Sequence, residues 1–285
     1  MILITGATGA LGRPLAHLLA REGAKVRAVT RDPGAAHLPG GVEVVRGDPS
    51  RPDTLARHLD GVTTVLLHSR ACGDTPGDLL ALAREHGAGK VVALSAVNVD
   101  DPLGLQPSRA MGDRNKETDA AAAESGMEWT SLRASSFAGN ALVSWGAQIR
   151  AGDVVRYVYA DFAEPLLDER DLVEVGARAL LTDDLAGRRL ELTGPESVSH
   201  ERAVTIIGEA AGRPLRFEEV APEAAEEGMV RRGLPRPFVS ALMARYARYA
   251  ALPPAEPTGA VEEALGRPAR SFARWAADHA PAFRL

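Results

Sequence analysis

Cysteine is nearly absent: Cys72 is the only one in 285 residues. That excludes an intrachain disulfide and any metal site built on cysteines. Basic residues form no run or stripe. The 33 Lys and Arg are scattered among 38 Asp and Glu, for a net charge of −5, so a nucleic-acid partner is not expected. No apolar stretch approaches the length of a membrane helix. The first apolar run, MILIT, has no basic segment before it and leads straight into glycines. It reads as a strand rather than a targeting signal, and a cytoplasmic protein without a membrane partner is expected. No G-x-S-x-G nucleophile elbow occurs, and no paired-histidine metal motif. Carboxylate runs such as EEVAPEAAEEG fit a solvated helix face better than a glycosidase pair.

What is present is alternation. MILIT (1–5), KVRAVT (25–30), VEVVRG (42–47), TTVLLHS (63–69), KVVALSA (90–96) and EWTSLRA (128–134) read as strands. Several are apolar almost throughout, as strands covered on both faces must be. Between them PLAHLLAREG, PDTLARHLDG, GDLLALAREHG and NKETDAAAAESG carry helical spacing and close on glycine. This predicts an α/β fold, a Rossmann-type doubly wound parallel sheet, over residues 1–150. Past 150 the rhythm changes. VVRYVY, RRLELTG and RFEEV read as strands among helices, and ALPPAEPTG is a Pro-rich joint. Residues 151–285 are expected to form mainly a smaller α+β substrate-binding cap, with one segment returning to the main sheet. The stretch MVRRGLPRPFVSALMARYARY reads as two packed helices.

At the first strand–helix junction stands GATGALG, with Gly6, Gly9 and Gly12. A helix starting there aims unpaired N–H groups and the positive end of its dipole at whatever lies above the strand. A pyrophosphate uses both if no β-carbon intervenes. Gly6 allows the tight turn, Gly9 the close approach of phosphate, and Gly12 the packing of helix on strand. Thr8, Ala10 and Leu11 complete the expected cradle. The spacing is G-x-x-G-x-x-G rather than the commonest G-x-G-x-x-G.

The second strand ends VRAVTRDP. An NAD site usually places an acid here for the ribose 2′-hydroxyl. Thr30 and Arg31 stand here instead, and a guanidinium suits a 2′-phosphate. NADPH is therefore favoured over NADH, with Asp32 the residue that argues against. For Arg13, assistance at the helix start competes with a solvated surface role. Asp48, after the third strand, is placed to accept from the adenine amino group, and a simple turn is its rival.

These pieces together resemble the short-chain dehydrogenase/reductase superfamily, in its atypical, NmrA-like branch. GATGALG, VRAVTRDP, the GD at 47–48, KVVALSA and SGMEWTSLRASSFAGN carry the likeness. ERDLVEVGARALL, RRLELTGPESVS and ALGRPARSFARWAADH extend it over nearly the whole chain. The resemblance implies NAD(P)H binding, with His68, Ser69 and Arg70 beside the cofactor ribose. An inward-packed imidazole is the alternative for His68. It also implies that Ser95 is the catalytic serine, against a serine that caps its own loop. Phe137 and Asn140 would line the nicotinamide and substrate pocket.

Reductases of this family usually carry Tyr-x-x-x-Lys, or the lysine alone, before the sixth strand. Counting back from SGMEWTSLR, the lysine place falls on Asn115 and the tyrosine place on Met111. A one-residue shift offers Lys116 but puts Gly112 at the tyrosine place. The tyrosine is missing in either register. Asn115 and Lys116 remain candidates to hydrogen-bond ribose or a developing oxyanion, an exposed surface lysine being the alternative for Lys116. The expected activity is NADPH-dependent reduction of a substrate that tolerates a missing acid. A quinone fits, and so does an aromatic ketone with its own phenol. Abundant Ala, Arg and Gly suggest a GC-rich genome, where similar reductases tailor aromatic polyketides. The rival class is a catalytically silent NADPH sensor that binds a partner protein. A sugar-nucleotide epimerase or dehydratase would need the absent Tyr/Lys pair.

Overall fold

The computed structural model describes residues 1–284, which divide into two compact units. One comprises Met1–Asp100, Gly112–Ala134 and Leu172–Glu191. The other comprises Asp101–Met111, Ser135–Asp171 and the chain from Leu192 onward.

In the first unit the apolar runs become strands β1 (Ile2–Ile4), β2 (Val26–Thr30), β3 (Val42–Arg46), β4 (Thr64–His68), β5 (Lys90–Ala96) and β6 (Glu128–Ala134). The intervening helices are α1 (Gly12–Arg21), α2 (Ser69–Cys72), α3 (Pro76–Glu85) and α4 (Asn115–Glu124). Strand order is β3-β2-β1-β4-β5-β6, with Arg188–Leu192 as a seventh strand beside β6. The first six pair in parallel, for example Ile2 with both Val26 and Thr64, and Lys90 with Glu128. Leu3, Val65, Leu67, Val91 and Ala93 are fully buried in one core cluster, which is why these strands have no polar face. The winding direction reverses between β1 and β4. The crevice at their carboxyl ends is where such sheets take ligands.

One helix expectation changes. PDTLARHLDG forms a 3-10 helix, Pro52–His58, rather than an α-helix. Its bonds run three residues back, from Thr54 N to Arg51 O and from Leu59 N to Ala56 O. A 3-10 segment rises about 2.0 Å per residue against about 1.5 Å for an α-helix. That suits a crossover this short.

The second unit carries α5 (Asn140–Ser144), α6 (Gly146–Ala151), β7 (Val154–Tyr157) and β8 (Ala163–Glu164). Helix α7 (Glu169–Leu181) and strand β9 (Arg188–Leu192), the seventh strand, lead out of and back into it. Then follow β10 (Val198–Ser199), α8 (His200–Ala211), β11 (Arg216–Glu219), α9 (Pro222–Arg231), α10 (Arg236–Ala250), α11 (Ala260–Leu265) and α12 (Phe272–His279). β7 pairs in parallel with β11, and β8 antiparallel with β10. Tyr157 meets Trp145, His200 and Tyr246 edge-on in the core.

The division departs from a cut at residue 150. Immediately after β6, Ser135 N donates to Leu192 O, and Leu167 N donates to Ser136 O, so the chain already belongs to the second unit. The loop 101–111 joins that unit too, held where the Tyr249 hydroxyl on α10 donates to the Asp101 carboxylate at 2.6 Å. No helix among the described residues is long and apolar enough to cross a membrane.

Candidate cofactor and active site

The turn after β1 is built by Thr5 and the glycines. Thr5 Oγ1 donates to Leu66 O and accepts from His68 N, each at 2.8 Å, locking the end of β1 to β4. Gly6 adopts φ +68°, and a β-carbon on it would stand 2.8 Å from the His68 ring. At Gly12 a β-carbon would lie 2.2 Å from Gly6 O, so helix and turn touch backbone to backbone. At Gly9 the nearest atom would be Gly6 O at 3.3 Å, and the residue is otherwise open to solvent. The N–H groups of Ala10, Leu11 and Gly12 donate to no backbone carbonyl among the described residues. Three consecutive unspent donors at a helix start, over an exposed glycine, fit a pyrophosphate. Arg13 turns back to Thr8 O at 3.2 Å and buttresses this turn.

At the ends of β2 and β3, Asp32 is occupied locally. Its Oδ1 accepts from Gly34 N at 3.1 Å and caps the 3-10 turn Pro33–Ala35. Arg31 is exposed and forms no salt bridge among the described residues. Asp48 Oδ1 accepts from Ser50 N (3.1 Å) and Ser50 Oγ (2.7 Å). Partial burial raises its carboxyl, but these bonds and the Arg51 and Arg31 charges outweigh it and hold the group below the usual carboxylate range. Asp48 thus builds a turn, with Oδ2 facing Arg51 at 3.4 Å.

His68 ends β4 half-buried. Its Nδ1 accepts from Arg70 N at 3.2 Å, which places the proton of the neutral ring on Nε2. Burial pushes its pKa down; Asp113 opposes this and Arg70 adds to it. Ser69 is buried as the first residue of α2. The Arg70 guanidinium grips Asp113 in a two-bond fork, at 3.0 and 2.8 Å, tying α2 to the loop ahead of α4.

Ser95 is buried one residue before the end of β5, and its hydroxyl donates to the backbone carbonyl of Asn115 at 3.2 Å. The two expected catalytic positions are therefore adjacent. Lys116 is exposed and makes no ion pair among the described residues. Met111 is exposed as well. Helix α4 is fixed from below by a buried cluster that the sequence reading missed. Asp119 accepts from Ser131 Oγ, from Arg133 Nε at 3.1 Å and from Arg189 Nε at 2.9 Å. Burial raises the Asp119 carboxyl, yet these donors hold it below the usual range. The available signal was an arginine placed between Leu132 and Ala134 in the strand EWTSLRA.

Phe137 and Asn140 lie in the second unit. Phe137 forms an isolated parallel bridge with Leu167, and Asn140 is exposed at the start of α5. Beside them Glu169 Oε1 accepts from Gly139 N at 3.0 Å, and burial pushes the Glu169 carboxyl up.

A sheet reversing at β1/β4, with a glycine turn of unspent N–H groups at that point, defines a dinucleotide-binding protein of Rossmann type. A family model described as NAD(P)H-binding matches residues 6–154. The chain is 35% identical over 285 residues to a (4-alkanoyl-5-oxo-2,5-dihydrofuran-3-yl)methyl phosphate reductase of Streptomyces griseus, covering 99% of each chain. It is 28% identical to an NAD(P)H azoreductase of Xenophilus azovorans, again over 99% of each. The crystal structure of an NADPH-dependent quinone oxidoreductase from Escherichia coli superposes with TM-score 0.83 at 21% identity, covering 98% of this chain and 99% of that one. The protein belongs to the NAD(P)H-binding family, as an oxidoreductase of the atypical short-chain, NmrA-like branch.

Proposed function

We propose that the protein is an NADPH-dependent reductase of a conjugated carbonyl compound, a quinone or an aromatic polyketide-like ketone, working without the usual Tyr/Lys pair. The observation that carries this reading is the site around Ser95. It holds a buried hydroxyl that donates to the Asn115 carbonyl, and neither register of the sequence offers a tyrosine ahead of that helix.

When bound, NADPH supplies a hydride from its nicotinamide C4. The glycine turn would hold the pyrophosphate, Arg31 the 2′-phosphate and Asp48 the adenine amino group. His68, Ser69 and Arg70 would border the ribose. Ser95, Asn115 and Lys116 would orient the ribose or the substrate oxygen, and Phe137 and Asn140 would line the substrate side. Beside the reacting carbonyl these groups offer hydroxyl, amide and ammonium donors, but no phenol in the usual catalytic place. A positioned general acid contributes about two to four orders of magnitude, so a substrate that needs one is turned over slowly here. A substrate whose anion is delocalised needs none, because the proton can arrive later from water. The names of the relatives support this chemistry. In the furanone named above a ring double bond is conjugated with two carbonyls, and an azo bond likewise accepts hydride without an isolated ketone.

The alternative is an NADPH sensor with a silent site, favoured by the same missing tyrosine. The test follows NADPH absorbance on mixing the protein with quinones, phenolic ketones, unsaturated lactones and simple ketones, with NADH alongside. Steady oxidation of NADPH by a conjugated class supports the reductase. Tight NADPH binding with no turnover across the panel supports the sensor.

A further inference from the structure

A cleft of about 600 Å³ opens at the carboxyl ends of β2 and β3. Arg31, Arg46, Arg51 and Arg57 line it, against Asp48 and Asp53. On a chain of net charge −5, four guanidiniums facing two carboxylates make a local surplus of positive charge. The four are not equivalent. Arg51 faces Asp48 at 3.4 Å, and Arg57 Nε donates to His58 Nε2 at 3.1 Å. Arg31 acts on Asp48 through its charge alone, and neither it nor Arg46 is hydrogen-bonded to a carboxylate among the described residues.

Strand register sets both at the same end of the sheet, and both line the cleft. β2 and β3 pair in parallel with Thr30 opposite Arg46, and Arg31 follows Thr30 directly. Neighbouring strands lie about 4.8 Å apart, so the two side chains start from adjacent strand ends and enter one cleft. Farther down the same pair, Arg27 and Glu43 sit opposite each other and form a salt bridge at 2.9 Å. At the cleft end the position across from Thr30 is not an acid but a second arginine, Arg46.

We infer that Arg46, paired with Arg31 across the β2–β3 edge, is a second guanidinium that holds the adenosine 2′-phosphate and sets the preference for NADPH. This rests on the proposed use of NADPH. A phosphate monoester has three terminal oxygens and close to two negative charges, enough acceptors for two planar forks. Arg51 stays with Asp48, outside this pair.

The test measures binding by calorimetry, without a nicotinamide and without turnover. Adenosine 2′,5′-bisphosphate and adenosine 5′-monophosphate are titrated into the wild type, Arg46→Gln and Arg31→Gln. A hydrogen bond to a charged group contributes about 1.5–3 kcal/mol, so Arg46→Gln is expected to lose roughly 10- to 100-fold in affinity for the bisphosphate. Its affinity for the monophosphate should not change. Arg46 is exposed, and an unchanged melting temperature confirms that the variant folds. If Arg46→Gln keeps the full bisphosphate affinity while Arg31→Gln loses it, the second-clamp assignment is overturned and NADPH use stands. If the wild type binds both nucleotides equally, NADPH preference and the clamp fall together.

Discussion

The hydroxyl of Ser95 donates to the carbonyl oxygen of Asn115 across 3.2 Å, joining the end of β5 to the first residue of α4. The acceptor is backbone, so the two side chains can be tested separately. Asn115→Ala leaves the bond in place and removes only the amide. Ser95→Ala removes the donor to the helix start and with it the hydroxyl that, in the proposed reaction, would turn to the substrate oxygen. Losing one hydrogen bond of this kind costs about 1 kcal/mol of stability, so Ser95→Ala should melt slightly lower. It should also lose at least tenfold in kcat with a quinone, about 1.4 kcal/mol of barrier. Unchanged kcat in Ser95→Ala would remove Ser95 from the reaction.

The glycines divide the labour of the turn. Gly12→Ala would drive a β-carbon to 2.2 Å from Gly6 O, a backbone atom that cannot yield. Such overpacking costs about 1–3 kcal/mol, which urea unfolding of the variant should register. At Gly9 a β-carbon would lie 3.3 Å from Gly6 O, a tight contact that a shift of a few tenths of an ångström relieves, so Gly9→Ala should melt much closer to the wild type than Gly12→Ala. It should nevertheless bind NADPH at least tenfold more weakly, because the methyl group occupies the phosphate approach. Fluorescence titration beside a thermal melt reads both effects.

Asp119 anchors α4, and breaking a buried ion pair by removing one partner costs about 3–5 kcal/mol. Asp119→Ala should fall at the lower end of that range, because Arg133 keeps Asp100 at 2.7 Å. The Asp119 pKa is depressed in the folded protein. Its contribution is therefore present above the ordinary carboxylate range and is lost as the pH falls through the lowered value. Urea midpoints of wild type and variant should converge in acid. A constant difference from neutral to acid pH would contradict this role.

Glu169 has the opposite sign. Burial raises its pKa, so its contribution is full below the ordinary glutamate value and is lost as the pH rises through the raised value. Glu169→Gln keeps an oxygen for Gly139 N and removes the charge. The variant should be at least as stable as the wild type at pH 7, with the difference vanishing in acid. A variant clearly less stable than the wild type at pH 7 would show that the charge is needed.

Much of the first unit was legible in the sequence, because strands covered on both faces must be continuously apolar and each helix between them ends on glycine. Gly6, Gly9 and Gly12 were legible for a similar reason: a strand-to-helix turn around phosphate leaves no room for side chains. The 3-10 form of Pro52–His58 was not, since helical periodicity does not report the distance a crossover must span. Nor was the loop 101–111, whose place is set by Tyr249 far along the chain. The fork from Arg70 to Asp113 was not legible either, a pairing between residues 43 apart that no local pattern encodes. The Asp119–Arg133 anchor was hidden in an alanine-rich helix that otherwise reads as a plain packing surface.

The most direct test of the whole account is the ratio of kcat/KM for a quinone to that for a simple aliphatic ketone, measured with NADPH on the wild-type protein. Without a positioned acid, the quinone should be favoured by two or more orders of magnitude, about the contribution such an acid makes. Comparable turnover of both would show that the site holds a strong proton donor after all, and would contradict the reading of Met111 and Asn115.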